Sequence, residues 1–223
     1  MTSTPPAAGP TRVGILGGTG PQGRGLARRL ATAGHPVVLG SRDAERAAAV
    51  AADLADAGDV SGAANEEAAS AELVIVTVPY AGHADLLASL AEPLAGKIVV
   101  DCVNPLGFDK QGPYVLPVEA GSAAQEAQAL LPRSTVVAAF HHVSAVLLED
   151  PAVEHIEGDV LVLGEDRDAV AVVCDLATAI PGARGVYAGR LRLAAQVEGM
   201  TANLIAVNRR YKTHAGLSVT GLR

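Results

Sequence analysis

An apolar run, Val13-Gly14-Ile15-Leu16, breaks into Gly17-Gly18-Thr19-Gly20-Pro21-Gln22-Gly23 and resumes as Leu26, Ala27 and Leu30 at helical spacing. A strand, a glycine turn and a helix start, in that order, allow few folds. Gly18 to Gly23 satisfies GxGxxG, and its setting between strand and helix favours a nucleotide turn over an ordinary glycine-rich connection. Glycines let backbone N–H groups approach phosphate. Pro21 falls in the first helical turn, where its missing donor costs nothing. The helix N-terminus adds N–H donors and partial positive charge, and Thr19 and Gln22 carry side chains able to hydrogen-bond.

The second strand decides which dinucleotide. A site for NAD places Asp or Glu at that tip, on the ribose 2′-hydroxyl. Here Val37-Val38-Leu39 ends in Gly40-Ser41-Arg42, with Arg46 one helical turn further. A hydroxyl and guanidinium groups suit a 2′-phosphate. Asp43 and Glu45 read as first-turn acids opposing the helix dipole. The pattern therefore favours NADP(H) over NAD(H).

Apolar runs alternate with helical segments along the rest of the chain. Strands are expected at Leu73–Val78, Ile98–Val103, Thr135–Phe140, Val160–Leu163 and Arg184–Tyr187, with a weak one at Asp59–Ser61. Helices are expected at Pro21–Ala33, Asp43–Ala57, Asn65–Ser70, Ala81–Leu90, Ser122–Leu131 and Asp168–Ala179, and a loop at Asn104–Pro117. This predicts an α/β fold, a doubly wound, mainly parallel Rossmann-type sheet covered on both faces. After Gly189, Leu193, Val197, Met200, Leu204, Val207 and Tyr211 form one apolar stripe on a helix of about 20 residues, roughly 30 Å long. Too little chain follows for an independent substrate domain, so this helix is expected to lie back across the sheet or to pair with a second copy, and a homodimer is predicted. The expected organisation is a tail over 1–10, an NADP-binding domain over 11–188 and a small helical C-terminal domain over 189–223.

Composition narrows the function classes. The chain has 223 residues, 49% hydrophobic and 18% charged, with a net charge of −7. An acidic balance and few aromatics argue against nucleic acid as a partner. No apolar run approaches the roughly 18–20 residues of a membrane span. Cys102 and Cys174 lie outside any metal-ligand spacing and read as reduced thiols of a cytoplasmic protein.

Ligands in such sheets bind at the carboxyl ends of the strands. The remaining tips are Val78-Pro79-Tyr80, Val103-Asn104-Pro105 and His141-His142-Val143-Ser144-Ala145. A neutral imidazole there suits contact with a nicotinamide or its partner. No HExxH and no nucleophile elbow occurs, and the only lysines are Lys97, Lys110 and Lys212. The helix after Gly189 thus lacks the lysine with which a carbonyl reductase of this build protonates an alkoxide. No catalytic acid or base, and no metal ligand, is assigned.

The block Gly17 to Gly23 with Gly25-Leu26-Ala27, then Ala33-Gly34-His35 and Gly40-Ser41-Arg42, resembles the NADPH-dependent reductases of coenzyme F420, the F420H2:NADP oxidoreductases. The likeness continues through Thr77-Val78-Pro79, Ala139-Phe140-His141 with Ala145, and Ala215-Gly216-Leu217. The resemblance implies hydride transfer between NADP(H) and an 8-hydroxy-5-deazaflavin. It implies NADP held by Thr19 to Gln22, Ser41, Arg42 and Arg46, Ala145 near the nicotinamide, and His141 and Leu217 beside the deazaflavin. Such transfer requires two stacked rings rather than a protein acid. Arg209, Arg210, Lys212 and His214 form a basic cluster that suits the anionic deazaflavin tail. Two other readings stay open: an imine or carbonyl reductase of the same fold, and a non-enzymatic NADP(H) sensor.

Overall fold

A computed structural model describes residues 9–222. Most of the expected N-terminal tail lies outside the described residues. The chain runs β1 (Val13–Leu16), α1 (Pro21–Thr32), β2 (Val37–Ser41), α2 (Ala44–Ala52), β3 (Val60–Ala64), α3 (Asn65–Ala68), β4 (Leu73–Val76), α4 (His83–Ser89) and β5 (Ile98–Asp101). It continues through β6 (Leu106–Asp109), β7 (Gly112–Val115), α5 (Ala123–Leu130), β8 (Thr135–Ala138), α6 (Ala145–Glu149), β9 (Gly158–Gly164), α7 (Arg167–Thr178), β10 (Ala183–Gly189) and α8 (Ala194–Tyr211).

Eight strands form one sheet in the order β10-β9-β8-β5-β4-β1-β2-β3. Strands β1, β2 and β4 are buried along their whole length, as β-branched and leucine-rich strands covered on both faces should be. Alternate residues of β4 feed opposite layers: Leu73 and Ile75 join Leu26, Leu30 and Val173 on one face, and Val74 and Val76 join Leu87, Leu90 and Ala127 on the other. Strand β1 pairs with β2 on one side and β4 on the other. That reversal of strand order opens a crevice at the carboxyl ends of the strands, where ligands of such sheets bind.

Three departures from the sequence expectations have physical causes. Strand β9 runs antiparallel to β8, with Ala138 opposite Leu163. The chain between them carries only the five-residue α6, which the sequence reading did not foresee. Without a crossover helix the chain stays at the same end of the sheet and re-enters from there. Residues 104–117 were expected to form a loop but contain the hairpin β6–β7. Gly107, Gly112 and Pro113 hide its alternation. Its turn is closed by the Asp109 carboxylate, which accepts from the N–H of Gln111 and Gly112 at 2.7 and 3.1 Å. Third, α2 stops at Ala52, and a short 3-10 turn over Ala55–Ala57 completes the expected segment.

The apolar stripe of α8 is only partly used. Val197 is buried and Met200 and Leu204 are half-buried, whereas Leu193, Val207 and Tyr211 are exposed. The helix packs its first half on β7 and α5, and a glycine, Gly199, faces Val115 of the hairpin.

Candidate functional site

The tip of β1 turns directly into α1. Any side chain at Gly23 would place its Cβ 2.6 Å from the Cα of Gly18, so the turn closes only with glycine there. Gly20 is the N-cap residue of α1, with no side chain capping it and no acid in the first turn. The helix therefore presents its first N–H groups and positive end to the crevice, an electrostatic fit for a pyrophosphate.

A cleft of about 790 Å³ opens above this turn, the size of a small-molecule site. Thr19, Gly20, Pro21 and Gln22 line it at the phosphate end. Ser41, Arg42 and Arg46 line it at the tip of β2, and Val78, Pro79, Val103, Asn104 and His141 line it at the tips of β4, β5 and β8. Gly18 lies beneath the turn, packed against Leu39. The other two expected residues stand apart. Ala145 opens α6 outside the cleft, and Leu217 lines a separate small hollow with His142, Ser144 and His214. Leu217 reaches the sheet by its carbonyl, which accepts from Asp159 N–H at 2.8 Å.

At the tip of β2 the Ser41 hydroxyl accepts from Asp43 N–H at 3.2 Å. Asp43 is the N-cap residue of α2, its carboxylate accepting from Arg46 N–H at 3.1 Å. This acid is thus committed to the helix, while the guanidinium groups of Arg42 and Arg46 border the cleft. Gln22 is tied down as well: its amide donates to the Phe140 carbonyl at 3.3 Å.

The opposite wall is drier. His141 is buried, and neither ring nitrogen has a hydrogen-bond partner among the described residues. Burial pulls its pKa down to about 4 against the opposing charge of Asp101, so the ring is neutral at pH 7. His142 is likewise held at about 4, by burial and by His141, and its Nε2 accepts from Leu161 N–H at 3.2 Å. Behind Cys102 and Val103, His83 is fully buried, 2.6 Å from Asp101 and 3.1 Å from Glu126. Burial alone would lower its pKa, but the two carboxylates outweigh it and raise it.

Two cleft residues outside the expected site set brace its walls. Asn65, at the start of α3, accepts from Gly17 N–H at 3.4 Å and lines the cleft. Thr77 donates to the Leu16 carbonyl at 3.0 Å and holds the tip of β4 against β1. Both follow β-strands, and their position at a strand tip was the available signal. Arg209, Arg210, Lys212 and His214 lie exposed at the end of α8 and after it, and His214 also borders the hollow of Leu217.

A doubly wound sheet with an open helix N-terminus at its switch point defines a Rossmann-type dinucleotide-binding protein. Residues 12–105 match the family described as NADP oxidoreductase, coenzyme F420-dependent. The F420-dependent NADP reductase of Methanothermobacter thermautotrophicus is 37% identical over 222 residues, covering 95% of each chain. That of Methanocaldococcus jannaschii is 37% identical over 223 residues, covering 95% of this chain and 99% of its own. A solved structure from Arthrobacter sp. FB24, provisionally described as an F420-dependent NADP reductase, superposes with a TM-score of 0.79 at 30% identity, covering 94% of this chain and 99% of its own. The chain belongs to the coenzyme F420-dependent NADP oxidoreductase family.

Proposed function

We propose that the protein transfers hydride reversibly between NADP(H) and coenzyme F420, an 8-hydroxy-5-deazaflavin. The observation that carries this reading is the polarity of one cleft. Its phosphate end offers an uncapped helix and two arginines, and its far end offers a neutral imidazole and apolar walls.

NADP(H), when bound, supplies or accepts the hydride. Residues 11–188 hold it in this reading. Thr19 to Gln22 frame the pyrophosphate, and Ser41, Arg42 and Arg46 receive the 2′-phosphate. Val78, Pro79, Val103 and Asn104 give the nicotinamide and deazaflavin rings a wall to stack against and keep water out. A charged His141 would repel the positive oxidised nicotinamide; its neutrality leaves both redox states tolerated. The C-terminal segment 189–223 brings Leu217 and the basic cluster to the deazaflavin side, and Ala145 lies on that approach. With both rings held near contact distance, no protein acid need act.

The imine or carbonyl reductase reading requires a proton donor from α8. The buried carboxyl of Glu198 is the titratable group deepest in that helix, but it accepts from the N–H groups of Ala123 and Ala124 at 3.0 and 3.2 Å and does not line the cleft. We further propose a cytoplasmic homodimer, joined through the exposed Val207 and Tyr211 of α8 and Phe108 and Tyr114 of the hairpin. A mass of two chains in light scattering checks it; a monomer at micromolar concentration contradicts it.

The functional test mixes purified protein, F420 and either NADPH or NADH. Rapid loss of deazaflavin absorbance with NADPH, and little with NADH, is expected. An inert mixture that nevertheless reduces a cyclic imine with NADPH would overturn the reading.

A further inference from the structure

We infer that Thr201 of α8, together with Asn104, is a positioning residue for the reaction, holding the His141 turn that separates the nucleotide from its hydride partner. The inference rests on the functional reading above and concerns a residue in a helix that does not itself line the cleft.

The turn after β8 is strained. Phe140 has φ of 63°, one of two positive-φ non-glycine residues among those described, and its ring is fully buried. An aromatic residue in the left-handed region persists only where its surroundings over-determine it. Here three side chains from three parts of the fold grip two successive carbonyls. Gln22, from the phosphate turn, donates to the carbonyl of Phe140 at 3.3 Å. Asn104, from the tip of β5, donates to the carbonyl of His141 at 2.9 Å. Thr201, from α8, donates to that same carbonyl, also at 2.9 Å.

The His141 ring has no hydrogen bond of its own to fix it, so its place in the cleft wall is set through its backbone. The Thr201 hydroxyl is the link that makes this placement depend on the C-terminal helix. One turn earlier, Glu198 anchors the same helix by accepting two N–H groups at the start of α5. Register of α8 is thereby converted into position of the peptide at His141. Gln22 reaches the same turn from the nucleotide side. The two coenzyme sites share one strained dipeptide, with Thr201 acting on the side away from the phosphates.

Thr201→Val keeps the shape and removes the donor; Thr201→Ser keeps the donor. The first should lower kcat/KM for F420 about tenfold while leaving the Kd for NADPH within about twofold. The second should restore the wild-type value. Independently of turnover, the His141 imidazole resonance, assigned by its loss in His141→Asn, should shift in Thr201→Val and return in Thr201→Ser. Thr201→Ala provides a second donor-free variant should valine disturb folding. An unmoved His141 resonance and unchanged kinetics, with only a lower melting temperature, would overturn the inference. So would loss of NADPH affinity in step with loss of F420 turnover. If wild-type protein shows no F420 turnover, the functional reading fails, while the His141 resonance still decides whether Thr201 sets the turn.

Discussion

Arg42 shows how one residue selects a coenzyme. It follows β2 directly, stands exposed beside the cleft and faces no competing acid, because Asp43 caps α2. A guanidinium–phosphate pair is among the stronger charge-assisted hydrogen bonds, and about 1.4 kcal/mol is a factor of ten in affinity. Solvent screening reduces this at an exposed site. Arg42→Ala should therefore raise KM for NADPH at least about tenfold and leave NADH nearly unchanged. Equal effects on both would remove the 2′-phosphate assignment. This residue was legible in the sequence because local order fixed it: strand, tip, no acid. The contacts of Thr201 and Asn65 were not, although Asn65 stands at a strand tip. Their partners, His141 and Gly17, are 60 and 48 residues away in the chain, and no local pattern encodes such a meeting.

Among the elements, α6 depends most on a single side chain. It is five residues long, too short to stand by its own hydrogen bonds. Arg29 of α1, buried against it, donates to the carbonyls of Leu147, Leu148, Asp150 and Val153 at 2.6–2.9 Å. Burial lowers its pKa, and Arg28 adds to that, but an arginine so placed stays charged. The helices approach closely because Gly25 lies under Leu148, where a Cβ would stand 2.5 Å from the leucine Cβ. Arg29→Met keeps the apolar stem and strands these carbonyls. It should lower unfolding stability by about 2–4 kcal/mol in urea titration, from lost charged hydrogen bonds and unsatisfied acceptors. A change below about 1 kcal/mol would show that water replaces the clamp. In the sequence Arg29 is merely a basic residue in a helix, and α6 carries no periodicity long enough to read. By contrast, α1 was legible from its apolar spacing and β4 from an unbroken apolar run. The hairpin escaped because glycine and proline erased its alternation.

For the whole molecule, buried titratable groups give stability a pH profile with a maximum. His141 and His142 are held near 4 against an ordinary 6.5, so the unfolded chain takes up two protons that the folded chain refuses over that interval. Glu198 is pushed by burial to about 7 from 4.5, against the N–H groups of Ala123 and Ala124, so the folded chain retains one proton that the unfolded chain loses. Between pH 4.5 and 6.5 the histidines outweigh the carboxyl. Stability should rise on the order of 1 kcal/mol per pH unit there. Above 6.5 the histidine contribution is complete. The raised pKa of His83 then gives stability that is lost as its proton leaves, and Glu198 ionises without its folded advantage. Urea midpoints should peak near neutrality, and Glu198→Gln should steepen the rise between pH 4.5 and 6.5, where the carboxyl opposes the histidines, leaving His83 to carry the decline above 7. A midpoint constant from pH 5 to 7 would contradict this balance.

The same neutral, dry wall underlies the chemical claim that hydride passes from ring to ring with the protein only holding them. The sharpest measurement follows isotope in the NADPH–F420 reaction, using NADPH deuterated at its transferable position in ordinary water. The account predicts one deuterium on the central ring of reduced F420 and none lost to solvent. Reduced F420 free of the label, or no reduced F420 at all, would contradict it.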